Sequence, residues 1–405
     1  MSNLKASDSF GPRKDPTRDR MRIGMTIEPG ASHGRINGQR FSLGFAAGDI
    51  LNLNNEIINV LDKLRKDVQR KGVDLTGQSN YLTELRKIGL AAYNTILSDE
   101  ITQTHFLNED HKNPNLPPRL TLEIPMELNL IWEVLYSGDP SGKVDPECFW
   151  GFRYPLGRYF WDTVMIQLIN LREGILAGIH SELIASSKEV EHLRTNLTAL
   201  DIALKMTLLD QALSADTLTS DTLMELFIDQ NFPYGIIHFA CHCNNPAYAG
   251  ATKASLNLTV HNKDLEISIL DLLNYKKKGF RHNPFIFVNA CETQNLGHLL
   301  QTISLPSAFL NFRAGSVIAT ACTMPDVFAS EFARVFYQLL LAGPNPSREV
   351  HAILDAAELN VEIYRLEYLA EVLLATRLYF LKHYNNPLGL AYGLYAVSDQ
   401  KIQLW

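Results

Sequence analysis

Two stretches decide the fold: Gly235-Ile-Ile-His-Phe-Ala-Cys-His-Cys243 and Phe285-Ile-Phe-Val-Asn-Ala-Cys-Glu-Thr293. Each starts as an apolar run and ends in polar, reactive side chains. Short apolar runs of this kind read as strands buried on both faces, the pattern of a parallel sheet covered by helices. In such a sheet, ligands bind just beyond the carboxyl ends of the strands, where the loops diverge. His242 and Cys291 both stand at such ends. A thiol is only about a few per cent thiolate near pH 7, and an imidazole beside it can take or return the proton. The two residue types therefore point to nucleophilic catalysis, if one cleft holds both.

Working outward, Ile175–Ile179, Ala203–Leu209 and Gly315–Ala321 predict further strands. Leu256–Val260 and Leu265–Ile267 predict a hairpin around the polar turn His261–Asp264. Helices are expected from Ser186 (capped by Ser186 or Ser187), from Ser220 or Asp221, over Ser268–Asn274 and over Leu299–Phe312. The stripe Phe328, Phe332, Val335, Phe336, Leu339 and Leu340 predicts another, stopped by Gly343. A long helical region is expected from about Ser347, and the chain closes with Leu388–Val397.

Upstream, Ile50, Leu53, Ile57, Val60, Leu61 and Leu64 share one helical stripe; Leu82, Leu85, Ala92, Tyr93 and Ile96 share another. Asn108–Arg119, with three prolines, reads as a loop. Leu120–Ile124 and Leu128–Leu135 read as extended, the latter ending at the turn signal Ser137-Gly-Asp-Pro-Ser-Gly142. Strands alternating with helices predict an α/β fold with a mostly parallel central sheet and helices on both faces. The expected division is a flexible tail over residues 1–20, an amino-terminal part over 21–174 and a carboxyl-terminal part over 175–405.

The chain has 405 residues, 46% of them hydrophobic and 20% charged, enough for two or three compact units. A net charge of −7 disfavours nonspecific nucleic-acid binding. The first 25 residues lack an apolar export core, and no apolar run is long enough to span a bilayer, which predicts a soluble, cytoplasmic protein without membrane contact. Cys148, Cys241, Cys243, Cys291 and Cys322 show no paired spacing, so reduced thiols are expected rather than a disulfide framework. Cys241-His242-Cys243 brings a metal to mind, but strand alternation sends the cysteines to one face and the histidine to the other. No Cys-x-x-Cys accompanies them, so no metal and no cofactor is expected. The basic run Lys276–Arg281 reads as a solvated loop. Cysteines and histidines at strand ends are more often structural than catalytic, and the residues by themselves leave both readings open.

The two strand ends resemble the paired active-site motifs of the CHAT domain, a caspase-like cysteine peptidase family related to separase. That family shows His-Phe-Ala-Gly-His-Gly at the first strand and Ser-Ala-Cys-Glu-Thr-Gly at the second; here the matching residues are His238-Phe-Ala-Cys-His-Cys243 and Asn289-Ala-Cys-Glu-Thr-Gln294. Trp132-Glu133, within Leu130-Ile-Trp-Glu-Val-Leu135, resembles the family's Pro-Trp-Glu-Leu-Leu. Ser187-Lys-Glu-Val-Glu191 falls where the family has an acidic helix start. Phe309-Leu-Asn-Phe-Arg-Ala-Gly-Ser-Val-Ile318 resembles its Ala-Phe-x-x-Ala-Gly-Ala-x-x-Val, and Asn386-Pro-Leu-Gly-Leu-Ala391 its closing Asn-Pro-x-x-x-Ala. In family order, the likeness covers roughly residues 40–400.

The resemblance implies a caspase-like α/β fold with a pseudo-catalytic amino-terminal part and a catalytic carboxyl-terminal part. It implies Cys291 as nucleophile, His242 as catalytic histidine, and the backbone N–H groups of Cys243 and Cys291 as oxyanion hole. His238 would support its strand. Asp326, at the end of Cys322-Thr-Met-Pro-Asp326, matches the last Asp of the family's Trp-Pro-Val-Asp-Asp. It would line the pocket for the residue before the cut bond and pair there with Arg or Lys; a plain structural role, capping a helix from Val327, stands beside this.

The implied function is an endopeptidase that cleaves a protein or peptide substrate through an acyl-enzyme and answers to a separate regulatory partner. Its implied setting is bacterial defence or programmed cell death, such as activation of a gasdermin-like pore former. Cys241 and Cys243 replace the first motif's glycines, Gln294 a glycine of the second, and Ile131 a proline. The first two changes keep a second reading open: an inactive scaffold that binds a partner in its cleft.

Overall fold

The computed structural model describes residues 19–26, 33–43, 47–76, 80–111, 116–125, 128, 130–171, 174–199, 205–244, 254–290, 299–342, 346–359 and 366–403. The first elements are β1 (Arg20–Thr26), β2 (His33–Ile36), β3 (Gln39–Ser42), α1 (Ala47–Lys71), α2 (Tyr81–Ile96), α3 (Glu100–Asp110), β4 (Arg119–Ile124), α4 (Trp150–Arg153) and β5 (Leu156–Phe160). Next come β6 (Leu168–Asn170), β7 (Ile175–Ile179), α5 (Ile184–Ala199), β8 (Met206–Leu208), α6 (Leu209–Ala212), α7 (Ser220–Ile228) and β9 (Ile236–Asn244). They are followed by β10 (Ser255–Val260), β11 (Lys263–Ser268), α8 (Ile269–Asn274), β12 (Phe285–Ala290), α9 (Leu299–Asn311) and β13 (Ser316–Thr320). The last are α10 (Asp326–Leu340), α11 (Arg348–Ala356), α12 (Leu369–Tyr384), β14 (Tyr392–Tyr395) and β15 (Lys401–Gln403).

Among the described residues, 13 strands form one mixed sheet in the order β11-β10-β9-β12-β13-β14-β5-β4-β1-β2-β3, with β7 beside β9 and β8 beside β7. Two parallel blocks make up its middle, β9-β12-β13 and β14-β5-β4-β1. The antiparallel pair β13–β14 joins them, and antiparallel strands finish both edges. Helices cover both faces. Phe239 of β9 stacks on Phe309 of α9, whereas Phe287 of β12 packs on Phe336 and Tyr337 of α10. Every residue of α12 from Leu369 to Leu381 is buried, which makes it a core helix rather than an amphipathic one. The β10–β11 hairpin turns through His261 and Asn262 at φ 51° and 59°, left-handed at both central positions as tight hairpins require.

The α/β fold with helices on both faces is as the sequence predicts; four local expectations are corrected. Leu128–Leu135 is not a strand: Trp132–Val134 forms a 3-10 turn, closed by Val134 N–H to Ile131 O and Leu135 N–H to Trp132 O. The region after Ser347 is not one long helix but α11 and α12, because Glu358 enters the left-handed region at φ 57° and Leu359 N–H closes back on Leu354 O. α5 starts at Ile184, so Ser186 lies inside it, its hydroxyl donating to Leu183 O and His180 O. Asp326 is the first residue of α10, not its cap; Pro325 holds the cap position.

Gly343, the expected stop of α10, lies outside the described residues, as does the expected tail except its last two residues, of which Arg20 opens β1. Lys276–Lys278 are exposed, as expected of a solvated loop. No helix among the described residues is long and apolar enough to cross a membrane.

Candidate functional site

The site is built on two neighbouring parallel strands. β12 and β9 run in register from Phe285 opposite Ile236 to Ala290 opposite Cys241. Side chains alternate across the sheet. His238 and Ala240 on β9, and Phe287 and Asn289 on β12, point to the face covered by α5 and α10. Phe239 points to the α9 face. His242 belongs to the parity of His238 and Ala240, Cys241 and Cys243 to that of Phe239.

Behind the strand ends lies a buried polar network. Asn289, 1% exposed, donates through Nδ2 to Glu189 Oε1 on α5 at 2.7 Å and to Ala329 O on α10 at 3.0 Å. Its Oδ1 accepts from the Tyr392 hydroxyl on β14 at 2.8 Å. Glu189 Oε1 also lies 2.9 Å from Nε2 of the fully buried His238, whose Nδ1 is 3.0 Å from the Tyr337 hydroxyl. A buried carboxylate is costly unless it is met; Oε1 accepts from the Asn289 amide and lies against the His238 ring. Burial, followed by the Glu189 charge, pushes the Tyr337 hydroxyl well above its ordinary range. His238 therefore holds its strand, as expected, and the network fixes β9, β12, β14, α5 and α10 relative to one another.

His242 is half-buried in β9, level with Asn257 of β10, and its ring meets the His180 ring edge-on at 4.5 Å between centroids. His180 directly follows β7; its N–H donates to Ala240 O at 2.9 Å. Burial lowers the His180 pKa, and the neighbouring His242 lowers it further. Glu182 completes a cluster with the two histidines: one ligand atom from each lies within 4.8 Å of the others.

Cys241 and Cys243 are buried in regular strand, and neither is among the positive-φ residues, so cysteine fits where the family motif has glycine. Burial pushes the Cys241 thiol well above its ordinary range and Cys322 up to about 12. Asp326, half-buried, lines a small recess with Leu183, Glu189, Ala240 and Asn289, directly behind the strand ends. The structure thus brings Asp326 to the same side of the sheet as His238 and Ala240. Cys291 lies outside the described residues, and with it one of the two expected oxyanion donors.

Sequence reasoning missed Glu189, Asn289, His180 and Glu182. Asn289 and Glu189 stood within quoted motifs without a role, and His180-Ser-Glu182 directly after an apolar strand was the one local signal for the other pair.

The model of the CHAT domain family matches residues 73–357. Among solved structures, the chain is similar to the Arg-specific cysteine proteinase gingipain R of Porphyromonas gingivalis. That likeness has 9% identity and a TM-score of 0.43, covering 76% of this chain and 69% of that one. It is also similar to Saccharomyces cerevisiae separase in its complex with securin, at 9% identity and a TM-score of 0.48, covering 95% of this chain and 30% of that one. No curated protein matches.

Proposed function

Since the chain belongs to the CHAT domain family, we propose that it is a cysteine endopeptidase with Cys291 as nucleophile and His242 as proton carrier. The observation that carries this reading is the register of β9 and β12. Ala290 stands opposite Cys241, and the next residues in sequence are Cys291 and His242. The residues two and four before each of them, Asn289 and Phe287, Ala240 and His238, all point to the α10 face.

In the proposed reaction His242 takes the Cys291 thiol proton and the thiolate attacks the scissile carbonyl, forming a C–S bond as the carbonyl oxygen takes the electron pair. Backbone N–H groups of Cys291 and Cys243 stabilise the oxyanion as it develops. Collapse of the tetrahedral adduct breaks the C–N bond while His242 protonates the leaving amine. Water then attacks the acyl-enzyme, the C–S bond breaks, and the thiol is restored. The network behind β9 and β12 serves this chemistry by holding both strand ends rigid, since a nucleophile and its base must meet within hydrogen-bond reach.

Asp326 supplies a substrate preference. It is half-buried beside the strand ends, whereas Glu189 behind it is buried and bound to Asn289. A carboxylate so placed suits a cationic side chain, Arg or Lys, before the cut bond.

Cleavage of a peptide library by the wild type, Cys291→Ala and Asp326→Ala tests both parts. Wild type should cut after Arg or Lys and Cys291→Ala not at all. A charge-assisted bond is worth about 1.5–3 kcal/mol, so Asp326→Ala should lower kcat/KM on basic peptides by about ten- to a hundredfold. Unchanged preference in Asp326→Ala removes the pocket assignment. Absence of cleavage by the wild type supports the scaffold reading instead.

A further inference from the structure

A cluster next to the strand ends joins His242 to two residues that the proposed proteolytic chemistry does not use, His180 and Glu182. His180 and Glu182 belong to the short connection between β7 and α5, and His242 projects from β9 beside them. The connection is tied down on three sides. His180 N–H donates to Ala240 O of β9 at 2.9 Å, its carbonyl accepts from Ser186 Oγ of α5 at 3.1 Å, and Ser181 N–H donates to Thr259 Oγ1 of β10 at 3.1 Å. His242 is held in the sheet by its place in β9, level with Asn257 of β10. Both imidazoles are therefore carried on rigid backbone, with ring centroids 4.5 Å apart. Glu182 is exposed and has room to turn.

One ligand atom from each of the three side chains lies within 4.8 Å of the other two. Around a tetrahedral zinc with bonds of about 2.0–2.2 Å, ligand atoms stand about 3.3–3.6 Å apart. A side-chain adjustment on the order of 1 Å closes that difference, well within what rotamer changes supply. Two imidazoles and one carboxylate with an open fourth position suit Zn2+ and its neighbours, whereas Mg2+ and Ca2+ call for a set of oxygens.

We propose that His180, Glu182 and His242 form a site for a transition-metal dication, zinc above all. Binding stands on this geometry and needs no peptidase. Its consequence rests on the peptidase reading: a His242 nitrogen bound to metal has no lone pair for a proton, so zinc would act as a reversible brake on cleavage.

The test uses the full chain freed of metal by chelation. Equilibrium dialysis measures bound Zn2+, and titration with Co2+ reads the visible d–d absorption of a low-coordinate site, with Ca2+ as the control cation. The wild type should bind one Zn2+ per chain, competing with Co2+ and not with Ca2+. Losing an outer partner of a metal ligand typically weakens binding tenfold or more, so losing a ligand should cost at least that. Glu182→Gln and His180→Asn should each weaken Zn2+ binding by about tenfold or more.

Exposed Glu182 makes Glu182→Gln the deciding variant if His180→Asn fails to fold. No saturable binding by the wild type, or binding untouched by Glu182→Gln, overturns the site. A chain that binds zinc as stated but cleaves nothing when metal-free retains the site and loses the proposed peptidase function; cleavage without zinc binding does the reverse.

Discussion

Asn289 joins four elements through one amide: it lies on β12 and bonds to Glu189 on α5, Ala329 on α10 and Tyr392 on β14. Asn289→Ala removes the buried amide that bonds the Glu189 carboxylate and the Tyr392 hydroxyl. At about 1–3 kcal/mol for each buried hydrogen bond lost, the variant should lose about 2–5 kcal/mol in urea unfolding. A loss below about 1 kcal/mol would mean that water replaces the amide at little cost. The place of His242 at the end of β9 was legible because a reactive side chain follows directly on an apolar run. Glu189 was not: its partner Asn289 is 100 residues away in the chain, and only the folded sheet brings them together. His180 escaped for the same reason, since nothing local shows that β7 ends beside His242.

At the scale of elements, the sequence misled where a segment is buried on all sides. Ile131, Trp132, Val134 and Leu135 are buried, and an apolar run of that kind reads as a strand. Its shape is set instead by Glu133, 1% exposed, whose carboxylate serves two buried guanidinium groups. Arg158 of β5 donates to both Glu133 oxygens at 2.9 and 3.0 Å, and Arg377 of α12 to one at 3.2 Å. Burial pulls Arg377 down to about 10, with Glu133 opposing that shift. Gly393 of β14 makes room for the pair, since a Cβ there would lie 1.8 Å from Arg158 Nη2.

The Trp-Glu motif read as a family likeness thus has a structural reason: it locks a turn to β5 and α12. Glu133→Gln leaves two buried cations without their counter-charge and should cost about 3–5 kcal/mol, read as a lowered urea midpoint. A change under about 1 kcal/mol would show that backbone carbonyls such as Leu130 O, which accepts from Arg158, suffice for both guanidinium groups. The break between α11 and α12 went unseen because Glu358, rather than a glycine, takes the left-handed position.

Over the whole molecule, the two parallel blocks share one sheet through β13 and β14, so a strand from the end of the chain completes the block begun by β1, β4 and β5. Long-range contacts reinforce that closure. Arg119 pairs with Glu371 at 3.2 Å, and Thr121 meets Ser398 at 2.7 Å. The alternation of apolar strands and helices made the α/β class readable, whereas the strand order depends on pairings between distant segments that periodicity does not encode.

Limiting iodoacetamide on the native protein, with each adduct mapped by mass, shows whether the ends of β9 and β12 form a single nucleophilic centre. Cys291 should be alkylated first, His242→Ala should slow this by about tenfold or more, and buried Cys241, its thiol raised by that burial, should stay unmodified. Slow and equal labelling of all five thiols, indifferent to His242→Ala, would contradict it.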